Sequence, residues 1–348
     1  MDKKPYDGPH FFDDPPEFHY GLLDYGERPY WTPDGKKLAF IENSFGDVCE
    51  IDLETKVVRN LTKDKGLYHS FLRVLVLPNG DYLLIGPRDF KNYEVSRHVE
   101  SELWILDKEA KNPPKPLGRR IFEGCAVSAI ANRIAYSMNG NHDSSIGTED
   151  DFEIHVTEIV YGADGPELGE DRVVYKAKGR RVPEPQDFRY DDKELIFAEY
   201  VNRFPKRDTT NWKCVVKGVH LETGEVQIYI DEPMTHNECE GIFPDHEYIT
   251  LESSCDFENY WPPIDLWKLK LDGSGERVRM TQSLGRAPWR CSNCNVSPDG
   301  KWLAFMVNTR TDAPGLGRGI GLLDLEAWEK SPQGQLWETP AERKIYTP

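Results

Sequence analysis

Residues 30–43 (YWTPDGKKLAFIEN) and 295–308 (NVSPDGKWLAFMVN) are near copies of one another at opposite ends of the chain. Each reads as a strand, a Pro-Asp-Gly turn and a second strand of alternating Leu-Ala-Phe. Repetition of this kind constrains a fold more tightly than composition, because each copy must bury its faces against the next. Weaker copies are LVLPNGDYLLIG from Leu75, SAIANRIAYSM from Ser128, FRYDDKELIFAEY from Phe188 and GIFPDHEYITLES from Gly241, so six copies recur at roughly 45 to 60 residues.

A second strand pair with its own tight turn follows each copy, most clearly in DVCEIDLETKVVRNLT, CVVKGVHLETGEVQIYI and DLWKLKLDGSGERVRMT. Four antiparallel strands at this period form the blade of a β-propeller, where radial stacking buries both faces of every sheet. The expectation is therefore an all-β chain: one propeller domain over residues 1–348, with six four-stranded antiparallel blades. Residues 1–26 form an extension available as a closing strand. A count of seven stays open if HYGLLDYG and RKIYTP complete an extra or shared blade. The 16 Tyr, 15 Phe and 9 Trp suit the large core this requires.

The formal charge of −17 argues against nucleic acid and anionic lipid as partners, since both need a basic surface. The N-terminal stretch has no apolar signal region. An odd count of seven cysteines fits a reducing compartment better than a disulfide framework. A cytoplasmic protein acting on a small molecule or oligosaccharide is the expectation.

In such blades the Pro-Asp-Gly and LETK/LETG turns share one face. The connections on the other face are long, including residues 86–101, 137–151, 200–213, 253–265 and 308–319. Long loops within a compact domain usually carry function. Residues ahead of each turn occupy the inner strand and approach the mouth of the central channel on that elaborated face. His69 lies nine residues before Pro78, His236 eight before Pro244 and Arg290 eight before Pro298. Gln186 and Asp187 lie six and five before Asp192. Arg28, Arg73, Glu240, Asn293 and Asn295 come three to five residues before their turns and sit deeper.

His236, Glu238 and Glu240 alternate, so in a strand they share a face and can hold a divalent cation or provide a base. The competing reading is a solvated loop whose charges never converge. Arg73, between Leu72 and Val74, needs a carboxylate partner if buried. The CxxC of Cys291 and Cys294 lacks both the helix start of a redox motif and a second pair for zinc, so structural cysteines are expected. There is no G-x-S-x-G elbow and no α/β segment after the repeats to carry one, which argues against a prolyl-oligopeptidase-like peptidase.

The SPDGKWLAF and TPDGKKLAF motifs resemble the TolB-type, WD40-like propeller repeat. Among such proteins, the chain is most similar to the oligogalacturonate lyase family in length, cytosolic character and SPDG repeats. That resemblance implies β-elimination of short uronate oligosaccharides with a divalent metal, Mn or Ca, held by His and Gln side chains, here His69, Gln186 and His236. The chain departs from the family where histidines precede its last SPDG turn, since Asn293 and Asn295 stand there. On this reading His236 or His69 is the base, with Arg73 and Glu240 catalytic beside them. Arg28, Gln186, Glu238, Arg290, Asn293 and Asn295 bind substrate. The other class kept open is a non-catalytic propeller that binds a protein or ligand on its long-loop face, with residues 257–267 (FENYWPPIDLW) as an aromatic anchor.

Overall fold

The structure, a computed structural model, describes residues 6–202, 211–255, 264–283, 286–313 and 315–340. Its strands form six antiparallel sheets in a propeller, with the inner strands Glu27–Trp31, Arg73–Val76, Phe122–Val127, Arg181–Arg189, Asn237–Ile242 and Trp289–Val296. We number the blades 1 to 6 in that order. Blade 6 takes its outermost strand from the other end of the chain: His19–Leu23 pairs with Gly319–Asp324 and closes the ring. Blade 3 carries a fifth strand, because Phe152–Gly162 is long enough to pair with both Gly165–Leu168 and Arg172–Ala177.

The repeated turns owe their form to local chemistry. In blade 1, Gly35 N–H donates to Thr32 O at 2.8 Å while Thr32 Oγ1 donates to Asp34 Oδ1 at 2.7 Å. Blade 6 repeats this with Gly300, Ser297 and Asp299 at the same distances. The glycine sits at φ 67° and 73° in the two turns, a region that penalises any Cβ.

The Leu-Ala-Phe strands show why both faces of each blade must be apolar. Leu303 and Phe305 pack toward blade 5, whereas Ala304 between them packs toward blade 1; all three are fully buried. Six apolar clusters, one per junction between neighbouring blades, form the core. Cys291 and Cys294 belong to one of them as buried thiols, and burial pushes both well above the usual thiol range. No helix among the described residues is long and apolar enough to cross a membrane.

Candidate channel site

The inner strands are not regular. In five of the six blades their pairing with the next strand slips, at residues 27–30, 122–125, 185–187, 239–242 and 292–295; blade 2 alone is continuous. A bulge adds unpaired residues, bends the strand and re-aims side chains. The bulges hold Arg28, Glu123, Gln186, Glu240 and Asn293. Four of these, with Arg73 of blade 2, line one cavity of about 50 Å³ in the channel. Arg28 and Asn293 reach it from left-handed backbone, φ 52° and 41°. Asp187, Cys294 and Asn295 complete its polar wall.

Charge is concentrated here. Arg73 Nη2 donates to Glu184 Oε1 at 2.5 Å and lies 3.8 Å from Glu123 Oε1. Gly124 makes that arrangement feasible, since a Cβ there would lie 2.2 Å from Glu184 Cγ. From the long loop of blade 2, the helix Tyr93–His98 adds Arg97, which bonds Glu123 and donates to Tyr93 Oη. Five carboxylates, Glu123, Glu184, Glu238, Glu240 and Glu252, thus accompany the three guanidiniums of Arg28, Arg73 and Arg97. Burial, reinforced by the neighbouring acids, raises Glu240 well above the usual carboxylate range. Burial also raises Asp187, to about 7, against backbone N–H donors from Ile242 and Phe188.

His236 is buried just before the blade 5 inner strand. Its Nε2 is 3.2 Å from Glu238 Oε2 and 3.9 Å from Glu252 Oε2. One ligand atom from each of the three lies within 4.8 Å of the others. Asn293 Nδ2 joins this group to the cavity, reaching Glu252 Oε1 at 3.1 Å and Glu240 Oε1 at 3.4 Å. The set suits a divalent cation on donor chemistry, with one imidazole and two hard carboxylates.

The residues singled out from sequence divide clearly. Arg28, Arg73, Gln186, Glu240, Asn293 and Asn295 share the cavity wall, and His236 and Glu238 share the His/Glu cluster. His69 belongs to neither group. Its Nδ1 bonds Asp47 Oδ1 at 2.8 Å and its Nε2 lies 3.2 Å from Gly66 O. The inner strand of blade 2 is four residues long, so a residue nine positions before its turn falls in the loop outside. Arg290 bonds Asn308 on the next strand. Asn295 ties blade 6 to blade 1, where its Oδ1 accepts from Trp31 N–H at 3.1 Å.

Glu184, Glu123, Arg97 and Glu252 are the participants that the sequence reading missed. Glu184 lies eight residues before Asp192, the same count that singled out His236. Of the aromatic segment 257–267, residues 257–263 lie outside the described residues; Trp267 is buried beneath the Arg279 guanidinium, 4.3 Å from its ring centroid, and offers no exposed anchor.

No protein-family model and no curated protein matches the sequence. Solved structures match in fold. The tricorn protease aligns with TM-score 0.55 and 13% identity over 94% of this chain and 27% of its own. A gluconolactonase from Xanthomonas campestris aligns with TM-score 0.51 and 11% identity over 88% of each chain. Oligogalacturonate lyase from Vibrio parahaemolyticus (TM-score 0.49, 11% identity, 88% of this chain and 93% of that one) is also similar. So is TolB from Acinetobacter baumannii (TM-score 0.46, 14% identity, 81% and 65%). Identities this low speak to architecture alone: the chain is a six-bladed β-propeller whose structural neighbours include enzymes.

Proposed function

We propose that the channel is an active site for a small acidic, sugar-like substrate, and that it removes the proton beside the substrate carboxylate to start a β-elimination. The observation that carries this reading is a set of buried donors on the cavity wall without acceptors among the described residues: Arg28 Nε, Arg73 Nε and Gln186 Nε2. Buried polar groups are nearly always satisfied, and donors left over at a convergent point suit an incoming carboxylate. A cavity of about 50 Å³ holds a few waters at roughly 10–15 Å³ each. Only the carboxylate end of a substrate enters it, and the rest lies in the mouth beneath the long loops.

Arg28 and Arg73 then hold that carboxylate, which both orients the substrate and acidifies the neighbouring C–H. Two wall carboxyls, Asp187 and Glu240, are both raised by burial into a range where a carboxyl can exchange protons near neutral pH. Asp187, near 7, is partly ionised at neutral pH and takes the proton. Glu240, whose carboxyl burial raises well above its ordinary range, donates to the departing oxygen. Gln186 and Asn293 position hydroxyls. His236, with Nε2 facing two carboxylates, is better placed as a ligand than as a free base. His236, Glu238 and Glu252 would hold a divalent cation, which supplies charge to offset the developing enolate.

The test is incubation of the purified protein with di- and trigalacturonate, with and without Mn²⁺, following unsaturated product by absorbance. Turnover that falls at least ~100-fold in Arg28→Gln is expected from loss of a charge clamp. Absence of turnover on uronates and aldonates, with ligand binding unchanged in Arg28→Gln, removes the reading.

A further inference from the structure

Outside the channel, on the same long-loop face, the junction of blades 2 and 3 holds a second cavity of about 490 Å³. That volume falls among those of small-molecule sites, roughly 300–1,000 Å³. Its wall carries Arg88, Arg119 and Arg120, a concentration of positive charge in a chain of formal charge −17. The residues come from five places: just past the second strand of blade 2, its third and fourth strands, the strand Arg133–Asn139 of blade 3 and the loop after it.

The guanidiniums are held from behind. Arg88 Nε and Nη2 bond both oxygens of Glu102, at 2.7 and 2.9 Å. Arg119 Nη1 bonds Asp171 Oδ2 at 3.0 Å, and that oxygen also holds His155 Nδ1 at 3.0 Å. Arg120 lies 3.6 Å from Glu100 and keeps 56% of its side chain exposed. These contacts leave Nη1 of Arg88, and Nε and Nη2 of Arg119, without an acceptor among the described residues.

The wall also carries two carboxylates, Glu102 and Asp143, so recognition rests on the guanidinium N–H groups left to donate and not on net charge. Glu102 is engaged by Arg88 and by Gly118 N–H, and Asp143 accepts from Ser145 N–H at 2.8 Å. Burial drives the His142 imidazole down to about 4, so the positive charge belongs to the arginines. The loop is itself fixed: Asn139 N–H donates to His142 Nδ1 at 3.1 Å, and Gly140 N–H donates to Thr148 O at 3.0 Å. Arginines pre-oriented by carboxylates, with further N–H groups still to donate, are the usual device for planar or tetrahedral oxyanions.

We propose that this cavity is a second binding site, distinct from the channel, for a small molecule bearing a carboxylate or a phosphate. Its arginines are residues that the channel chemistry does not use. The test is calorimetric titration of the full chain with two probes, inorganic phosphate and galacturonate, in Arg28→Gln, which lacks the channel's carboxylate clamp, and in the same background carrying Arg120→Gln or Arg88→Gln/Arg120→Gln. Saturable binding of at least one probe is expected in Arg28→Gln, weaker once Arg120→Gln is added and at least tenfold weaker with Arg88→Gln/Arg120→Gln. The exposed position of Arg120 keeps the variant carrying Arg120→Gln folded. Phosphate as the tighter probe assigns a phosphate ester, and galacturonate a carboxylate. The proposal is overturned if neither anion binds saturably in Arg28→Gln, or if that binding survives the addition of Arg88→Gln/Arg120→Gln.

Discussion

The channel and the outer cavity lie on one face of the same propeller, yet they hold arginine in different surroundings. Arg73 and Glu184 meet at 2.5 Å with 10% and 2% of their side chains exposed. Arg88 and Glu102 meet at 2.7 Å with 51% and 5% exposed. Inside the channel each partner is the other's replacement for water, so stability and chemistry rest on the same atoms. At the outer cavity, water solvates much of the guanidinium, and the same pairing mainly sets its orientation. Glu184→Ala should therefore cost about 3–5 kcal/mol by urea unfolding, the penalty for stranding a buried charge. Arg120→Ala, at the outer cavity with 56% of its side chain exposed, should cost less than about 1 kcal/mol. Equal losses would show that burial does not separate the two sites. Arg73→Met combined with Glu184→Leu should recover most of the stability and still lack activity on uronates.

A divalent cation should widen the contrast. Mn²⁺ or Ca²⁺ at ~100 times its dissociation constant would add about 2.7 kcal/mol to the folded state, read as a rise in melting temperature. Glu252→Gln should remove that rise, because it takes one charged ligand from the His236, Glu238, Glu252 set. Arg88→Gln should leave it intact. A wild-type protein whose melting temperature ignores both ions has no such centre in its channel.

The pH response should also belong to the channel. Asp187 is raised from 3.8 to about 7, chiefly by burial. A raised carboxyl binds its proton more tightly in the folded chain than in the unfolded one. Stability from this group is thus greatest below about 4 and declines as pH climbs toward 7. Allowing for its partial exposure, the decline should be on the order of 1 kcal/mol. Asp187→Asn should flatten that part of the stability profile. Activity should run the other way, rising as Asp187 loses its proton near 7. An unchanged activity profile in Asp187→Asn would assign the base elsewhere.

How much of this could be read from sequence depends on which end of the inner strand is considered. At the turn end, Thr32, Asp34 and Gly35 satisfy one another within a few residues, so a local pattern suffices and the blades could be counted. At the channel end, counting back from the turn located Arg73, Gln186, Glu240 and Asn293, because strand rise is nearly uniform. It misplaced His69, since strand length is set by pairing with the neighbour and not by the turn. It could not reach Glu252 or Arg97, which arrive from a second strand and from a loop helix. The bulges left one faint trace: Glu-Gly recurs at 123–124 and 240–241, and a glycine inside a strand often marks a bulge.

Asn293 gives the smallest and most local test. It holds a left-handed conformation, φ 41°, in the bulge of blade 6, and its side chain links Glu252 to Glu240. Asn293→Gly removes the side chain but keeps the backbone easy to form. Asn293→Ala removes the same contacts and adds a Cβ penalty of roughly 1 kcal/mol. If the bulge exists to aim the side chain, both variants should lose activity alike, while only the alanine form is further destabilised in urea. Were the glycine form to keep full activity, the bulge would matter to the shape of the channel and Asn293 would not touch the substrate. Blade 2 supplies the internal control: its inner strand runs without a bulge and still delivers Arg73 to the same cavity. Left-handed backbone is thus one route to the channel wall, and its cost is confined to the blades that use it.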